Sequence, residues 1–572
     1  MKTKWRPKSH RILYYFLILA FCNPVFCCPS RFSFDDANCL LFGNQKMKCF
    51  GENDFGQLGY EDIQQRGDNS GELGNYLPFV DLGNVSIFSL HVGIQSSCAH
   101  LSNLSLKCFG RGDLGQLGLG NTNNMGDGIN EMGMYIPYVD LGMEFVLDVD
   151  GGGYHSLAKS TSGQVKAWGF NNKGQLGYGD TEWRGDNAGE MGSYLPIVNL
   201  GNEEVVIQSM KLGQFFSCVL LSNPFFQMKC WGENGSGQLG QGFTSDIGDN
   251  PQEMSVYLPY IQFPEVIELI DSFGVGWYHV GIISSTGSLF TFGENSRGQL
   301  GLGHSLDIGN QPNEMGNYLQ NVEVGTGRTV VGFYGGYHSC VILDNFILKC
   351  FGFNDEGQLG YGDTSTRGNL ANQMGDYLFE VNLRVGITSS SVHLGDFHTC
   401  VVILNDDSLK CFGRNDSGQL GIGNTDDQGD DSNEMGDYLS YSNLGDDINI
   451  VLCFIVPTFS PTFQPSSSPS FSPSSSPSFS PSYSPIFSPT YHPTYQPTLQ
   501  PTITPTYTLS SHPTIEITNH PTINFRAEIQ TSSSTSGSFL GWLIGFGIFM
   551  LFVFIFQFLT CHMRGFEFFL LK

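Results

Sequence analysis

Four histidines, His155, His279, His338 and His398, occupy one register, each two residues before a cysteine or the residue that replaces it. Histidines repeated in this way could ring a metal ion or serve as bases. The equivalent places hold an Asn or Ala ahead of Cys39, Ser96 and Phe216, so no closed ring forms and we expect a structural use. A second set pairs acids four residues apart: Asp68 with Glu72, Asp127 with Glu131, Asp186 with Glu190, Asp249 with Glu253 and Asp430 with Glu434. Loop carboxylates at that spacing could bind Ca²⁺, with Asp68, Glu72, Asp186 and Glu190 as the candidate ligands. The pattern is not the twelve-residue EF-hand loop, and Asn310 and Asn369 replace the first acid in two copies. Hydrogen bonding within the loop is the expected use, with no metal or cofactor. Arg66-Gly67-Asp68 and Arg184-Gly185-Asp186 spell an adhesion tripeptide, but the equivalent places elsewhere read MGD, IGD, IGN, RGN and QGD. We read the triplet as drift within a repeat.

Ten cysteines fall into five pairs: Cys39 with Cys49, Cys98 with Cys108, Cys218 with Cys230, Cys340 with Cys350, and Cys400 with Cys411. In two further copies both positions change together, to Leu157 with Ala167 and to Gly281 with Thr291. Loss in pairs is what cross-strand disulfides predict, since a lone thiol would be left reactive in an oxidising compartment. No CxxC spacing supports a metal site instead. Sequons at Asn84, Asn103, Asn234 and Asn415 allow N-glycosylation, with Asn234 and Asn415 lying in the tight glycine turn, where shielding is expected. No HExxH, GxSxG or Walker loop is present, so no catalytic residue is assigned.

The elements that must position these residues come from a repeat. The stretch CFGENDFGQLG from Cys49 to Gly59 recurs seven times, with the Gly before Gln-Leu-Gly at 56, 115, 174, 237, 298, 357 and 418. A period near sixty residues means a solenoid, propeller or array. Each unit reads as two short β runs joined by a turn, a glycine turn, and a long Asp/Asn/Gly loop that re-enters at a Tyr-Leu-Pro-x-Val pattern. That makes about four strands, one propeller blade. With 72 glycines, 13% aromatic and 14% charged residues, the expected class is all-β: a seven-bladed propeller over 29–456.

The flanks differ in kind. Residues 1–28 carry a basic start and a short apolar run, a secretory signal peptide with cleavage expected near Cys27 or Cys28. Residues 457–538 repeat Pro with Ser or Thr and read as a disordered, extended stalk that would reach roughly 200 Å at polyproline rise. Residues 539–561 are uncharged and apolar, one membrane helix, and 562–572 form a short cytoplasmic tail. A GPI anchor after the small residues 531–538 is the alternative. Cys28 and Cys453 flank the repeats and could clasp the first and last blades.

The units, most clearly GYHSCVIL at Gly336 to Leu343 followed by LKCFGFNDEGQLGYGD at Leu348 to Asp363, resemble the repeats of the RCC1 (regulator of chromosome condensation) family. The resemblance covers roughly 32–452 and implies a seven-bladed β-propeller. It is closest to the secreted, Cys-rich members. The family's founding member is a nuclear exchange factor for a small GTPase, and no exchange-factor residues carry over.

Residues 29–456 hold 51 acidic and 19 basic residues, a surface that repels phosphate backbones, so no nucleic acid is expected as partner. The reading is a single-pass protein of the plasma membrane or another secretory-pathway membrane, with its propeller outside or lumenal, binding an extracellular protein or glycan. The alternatives are a calcium-dependent or hydrolytic surface enzyme and an intracellular exchange factor of the RCC1 type.

Overall fold

Short β-branched and aromatic runs separated by tight turns fold into seven small antiparallel sheets that follow one another along the chain. The computed structural model describes residues 37–445, apart from 144, 202–205, 224–226, 385–388 and 404–407. The signal peptide, stalk, membrane span, tail, Cys28 and Cys453 of the sequence reading lie outside the described residues. Among the described residues no helix is long and apolar enough to cross a membrane.

Blade 6 shows the pattern, with strands Val330–Gly335, His338–Leu343 and Leu348–Gly352, the middle one paired to both neighbours. Blades 2 to 7 begin at Ile87, Val146, Val206, Ile270, Val330 and Ser389 and share this order. Blade 1 has two described strands, Ala37–Leu41 and Met47–Gly51, matching the second and third strands elsewhere. Four strands per unit were expected, and among the described residues no unit has a fourth. Its place is taken by the long loop, fastened to the third strand at two points. Gly352 bridges to Arg367 at the strand's end, and the Val381 N–H donates to the Leu348 carbonyl, 2.9 Å, at its start. The same two contacts recur in all seven units, as Gly51 with Arg66 and Val80 with Met47 in the first. Glycines between the two points, joined by a proline in the first five units, deny the loop a continuous ladder.

First strands of successive blades touch from blade 2 to blade 7, so they line the centre and third strands face outward. The ring closes between blades 7 and 1. Gly74 N–H donates to the Asn443 carbonyl, 3.0 Å, and Leu40 and Phe50 share a buried cluster with Val402, Leu409 and Leu420.

The recurring glycine turn locks each blade to the next. Gly56 has φ 77°, and a Cβ there would lie 2.3 Å from the Asp127 backbone nitrogen of blade 2. The second glycine, Gly59, receives the Phe109 ring of that same blade. Every blade repeats this packing, through Trp168, Trp231, Phe292, Phe351, Phe412 and finally Phe50 against Gly421. The leucine between them is fully buried in each copy, as Leu58 and Leu359 show. Backbone conformation and close approach together therefore require glycine.

Each of the five cysteine pairs stands directly opposite in the register of the second and third strands and is disulfide-bonded. Leu157 faces Ala167, and Gly281 faces Thr291. At Gly281 the space a larger pair would need is filled by the Phe333 ring. Replacing Cys340 and Cys350 together by Ala opens a 10-residue linkage and is expected to cost about 2–3 kcal/mol in urea unfolding.

A second seam contact was not anticipated. Lys48, Lys107, Lys166, Lys229, Lys349 and Lys410 lie mid-strand, where alternation alone would send them to solvent. Each turns its ammonium between blades. Lys107 donates to Leu82 O of the preceding unit (2.8 Å) and Gly133 O of its own (3.1 Å). Burial pulls its pKa down, with Asp81 opposing. Blade 5 substitutes the buried Phe290. Lys107→Met leaves both carbonyls without that donor, an expected loss of about 1–3 kcal/mol by chemical denaturation.

Candidate binding face

The histidine register is a set of interblade relays. His338 Nε2 lies 2.7 Å from Thr399 Oγ1 of blade 7, and that hydroxyl donates to the Gln358 carbonyl of blade 6 at 2.8 Å. His279 uses Ser339 and Gln299, and His155 uses Ser217 and Gln175, in the same way. His398 meets Asn38 across the ring closure. All four are essentially buried, and burial pushes each imidazole pKa down to about 3. Four separated junctions are served, so the structural use expected from sequence is the arrangement seen.

The acidic pairs are brought together within each loop. Glu72 Oε2 accepts the Gly67 and Asn69 N–H groups at 3.0 and 3.2 Å, and Glu190 repeats this with Gly185 and Asn187. Burial and the adjacent Glu72 raise the Asp68 pKa. In blade 6 a neutral Gln373 still caps the Leu370 N–H. Among the described residues no three His, Cys, Asp or Glu side chains gather as a metal site, and calcium needs six to eight oxygens. Glu72 and Glu190 brace their loops through these bonds; for the calcium reading of Asp68, Glu72, Asp186 and Glu190, a melting temperature unchanged by chelator is the expected result. The RGD triplets are braced too. Arg66 is bound to Asp62 at 2.7 Å and to its own loop carbonyls, and Arg184 to Asp180 at 2.9 Å.

Two of the sequons are shielded in the tight turn. Asn234 and Asn415 are fully buried, and each Nδ2 donates to two backbone carbonyls, Phe243 and Ser245 or Asn424 and Asp426. They belong to a register with Asn53, Asn171, Asn295 and Asn354 that organises the glycine turn, so neither amide is open to a glycan in the folded ring. Asn84 and Asn103 are exposed.

Sequence reasoning passed over the residues immediately before the second strands. These sit at the turn next to the central channel, and five are aromatic: Tyr154, Phe215, Tyr278, Tyr337 and Phe397. Each is half-buried. Tyr154 stacks on Phe215 at 5.8 Å, Tyr337 on Phe397 at 5.2 Å, and Trp277 lies 4.0 Å from Tyr337. Arg111 covers Tyr154 and Arg414 covers Phe397, at 5.8 and 5.7 Å. Between these arms burial raises the pKa of Glu233 and of Glu294, and Tyr278 donates to Gln214. The channel mouth is therefore a broad aromatic platform with carboxylates and guanidinium groups at its edges, chemistry suited to recognition of another macromolecule.

Two segments, 146–175 and 286–343, match the family model described as the regulator of chromosome condensation (RCC1) repeat. The chain carries RCC1 repeats. It is 28% identical over 385 residues to the ultraviolet-B receptor UVR8 of Arabidopsis thaliana, covering 65% of this chain and 74% of that one. It is also 29% identical over 265 residues to human HERC6, a probable E3 ubiquitin-protein ligase, with the match spanning 23% of that protein's length and 46% of this chain. Prp20p of Saccharomyces cerevisiae, a structure reported with binding to Gsp1p and histones, superposes with a TM-score of 0.52 at 16% identity. That superposition covers 70% of this chain and 87% of Prp20p. The likeness shows that these RCC1 repeats share the propeller fold.

Proposed function

We propose that this RCC1-repeat protein is a recognition or adhesion protein of the cell surface or secretory pathway, binding an extracellular protein or glycan at its channel mouth. The observation that carries the reading is the half-exposed aromatic arc from Tyr154 to Phe397 with Glu233 and Glu294 beside it. Binding of proteins by Prp20p supports the same class of activity here. The buried disulfides fit an oxidising compartment, and the Ser/Thr/Pro tract and apolar segment 539–561 fit a stalk and anchor. Those features weigh against the intracellular exchange-factor alternative.

Proximity labelling on intact cells tests it. Wild-type protein is expected to label a discrete partner set, lost when Tyr337 and Phe397 are both changed to Ser with the melting temperature kept. An unchanged labelling pattern from that variant would remove the mouth as the binding face.

A further inference from the structure

Seven tyrosines, Tyr76, Tyr135, Tyr194, Tyr257, Tyr318, Tyr377 and Tyr438, hold one register, one per blade. All are 61 to 80% exposed. The residue before them drifts through Asn, Met, Ser, Val and Asp, and the residue two after through Pro, Gln, Phe and Ser. Their backbone turn needs no tyrosine. The turn is held by a main-chain bond from its first residue to the preceding unit, as from Gly133 to Asp81 O (2.9 Å) and from Gly375 to Glu323 O (2.8 Å). The same bond occurs at all seven seams, including Gly74 to Asn443 at the ring closure. It spaces the rings regularly around the rim. The loop carrying each tyrosine is fastened near the start of the third strand, whereas the aromatic mouth lies at its end. Among the described residues, none of the seven hydroxyls has a hydrogen-bond partner and no cation covers any of the seven rings.

Three residues further on, the protein stacks its own cations on aromatic rings: Lys107 over Tyr138, Lys229 over Tyr260 and Lys410 over Tyr441, at 4.9, 4.6 and 4.7 Å. The outer tyrosines are left open on a surface where acidic residues outnumber basic ones by 51 to 19 over residues 29–456. At the seam of blades 3 and 4, Tyr257 lines a cavity of about 510 Å³ with Pro196, Ile197, Asn199 and Asp180, beside the Arg184 already bound to Asp180.

We propose that this crown of tyrosines is a second binding surface, which takes an extended basic polypeptide. Lysine or arginine side chains stack on the open rings, and the excess of acidic over basic residues in 29–456 attracts their charge. Repetition at every seam lets one strand engage several rings, so weak contacts add through effective concentration.

The probe is fluorescent nona-arginine, titrated against the full chain by anisotropy at low and high salt. Changing Tyr76, Tyr194, Tyr257 and Tyr318 together to Ala is expected to weaken binding about tenfold or more. The same four changed to Phe should bind within about twofold of wild type, because the ring and not the hydroxyl does the stacking. Salt should weaken the wild-type complex strongly. Equal binding by the Ala set would overturn the proposal, as would parallel losses in the Ala and Phe sets or insensitivity to salt, the pattern expected of a neutral glycan surface. The mouth variant with Tyr337 and Phe397 changed to Ser should bind nona-arginine as wild type does. This separates failure of the crown from failure of the mouth.

Discussion

Acidification from pH 6.5 toward pH 3 is expected to unfold the propeller. His155, His279, His338 and His398 have an ordinary pKa of 6.5 once unfolded, but burial holds them near 3 in the ring. Above pH 6.5 both states are neutral there and nothing is lost. Below it the unfolded chain takes up protons that the folded ring refuses, so stability falls with pH until the folded imidazoles themselves titrate near 3. Each histidine costs roughly 1.4 kcal/mol per pH unit in that window, and four acting together cost at most roughly 5 kcal/mol per unit. A domain typically holds only about 5–15 kcal/mol in reserve. Glu233 and Glu294, whose pKa values burial raises, act in the opposite sense and blunt the slope. Urea midpoints measured across the window should fall steeply for wild type. With all four histidines changed to Gln, an amide that can still meet the neighbouring hydroxyl, the curve should flatten. A wild-type midpoint independent of pH would contradict the relay.

Gly357→Ala adds one methyl group and is expected to be strongly destabilising. The residue has φ +73°, and its Cβ would sit 2.3 Å from the Asp430 nitrogen and 2.5 Å from the Gly429 carbonyl carbon of blade 7. The obstacle is backbone of the next blade, so no side chain can turn aside. A left-handed conformation costs an alanine about 1–2 kcal/mol, and forced overpacking adds about 1–3 kcal/mol. A combined loss of roughly 2–5 kcal/mol is expected from denaturant midpoints. Gly71 provides the control: it also has positive φ, +90°, but no atom lies within 4 Å of its Cβ position. Gly71→Ala should cost only the conformational part. Equal losses at the two positions would mean that the blades are not interlocked there.

How much of this was legible in the sequence depended on whether the cause was local. Period, cysteine pairing and glycine turns could be read because each blade repeats its own strand spacing, and Cys340 faces Cys350 within one hairpin. The fourth strand was overcounted because the Tyr-Leu-Pro-x-Val run and its variants look like a strand, whereas the run is tied to the third strand by single contacts such as Val381 to Leu348 rather than by a ladder. Contacts between blades were hidden. Lys107 lies within a strand, and nothing in its neighbourhood points to its partners 25 residues upstream and 26 residues downstream. The place of Asn234 in the tight turn was visible, but not the two carbonyls, Phe243 and Ser245, on which its amide closes that turn. The aromatic mouth was missed for the same reason, since Tyr337 and Phe397 come from different blades and meet only once the ring forms.

Non-reducing peptide mapping of protein isolated from its native cells tests most directly the propeller of disulfide-stapled blades and the oxidising compartment proposed for it. The account predicts five linked peptides, joining Cys39 to Cys49, Cys98 to Cys108, Cys218 to Cys230, Cys340 to Cys350 and Cys400 to Cys411. Free thiols at these ten positions, or bonds between cysteines of different blades, would contradict it.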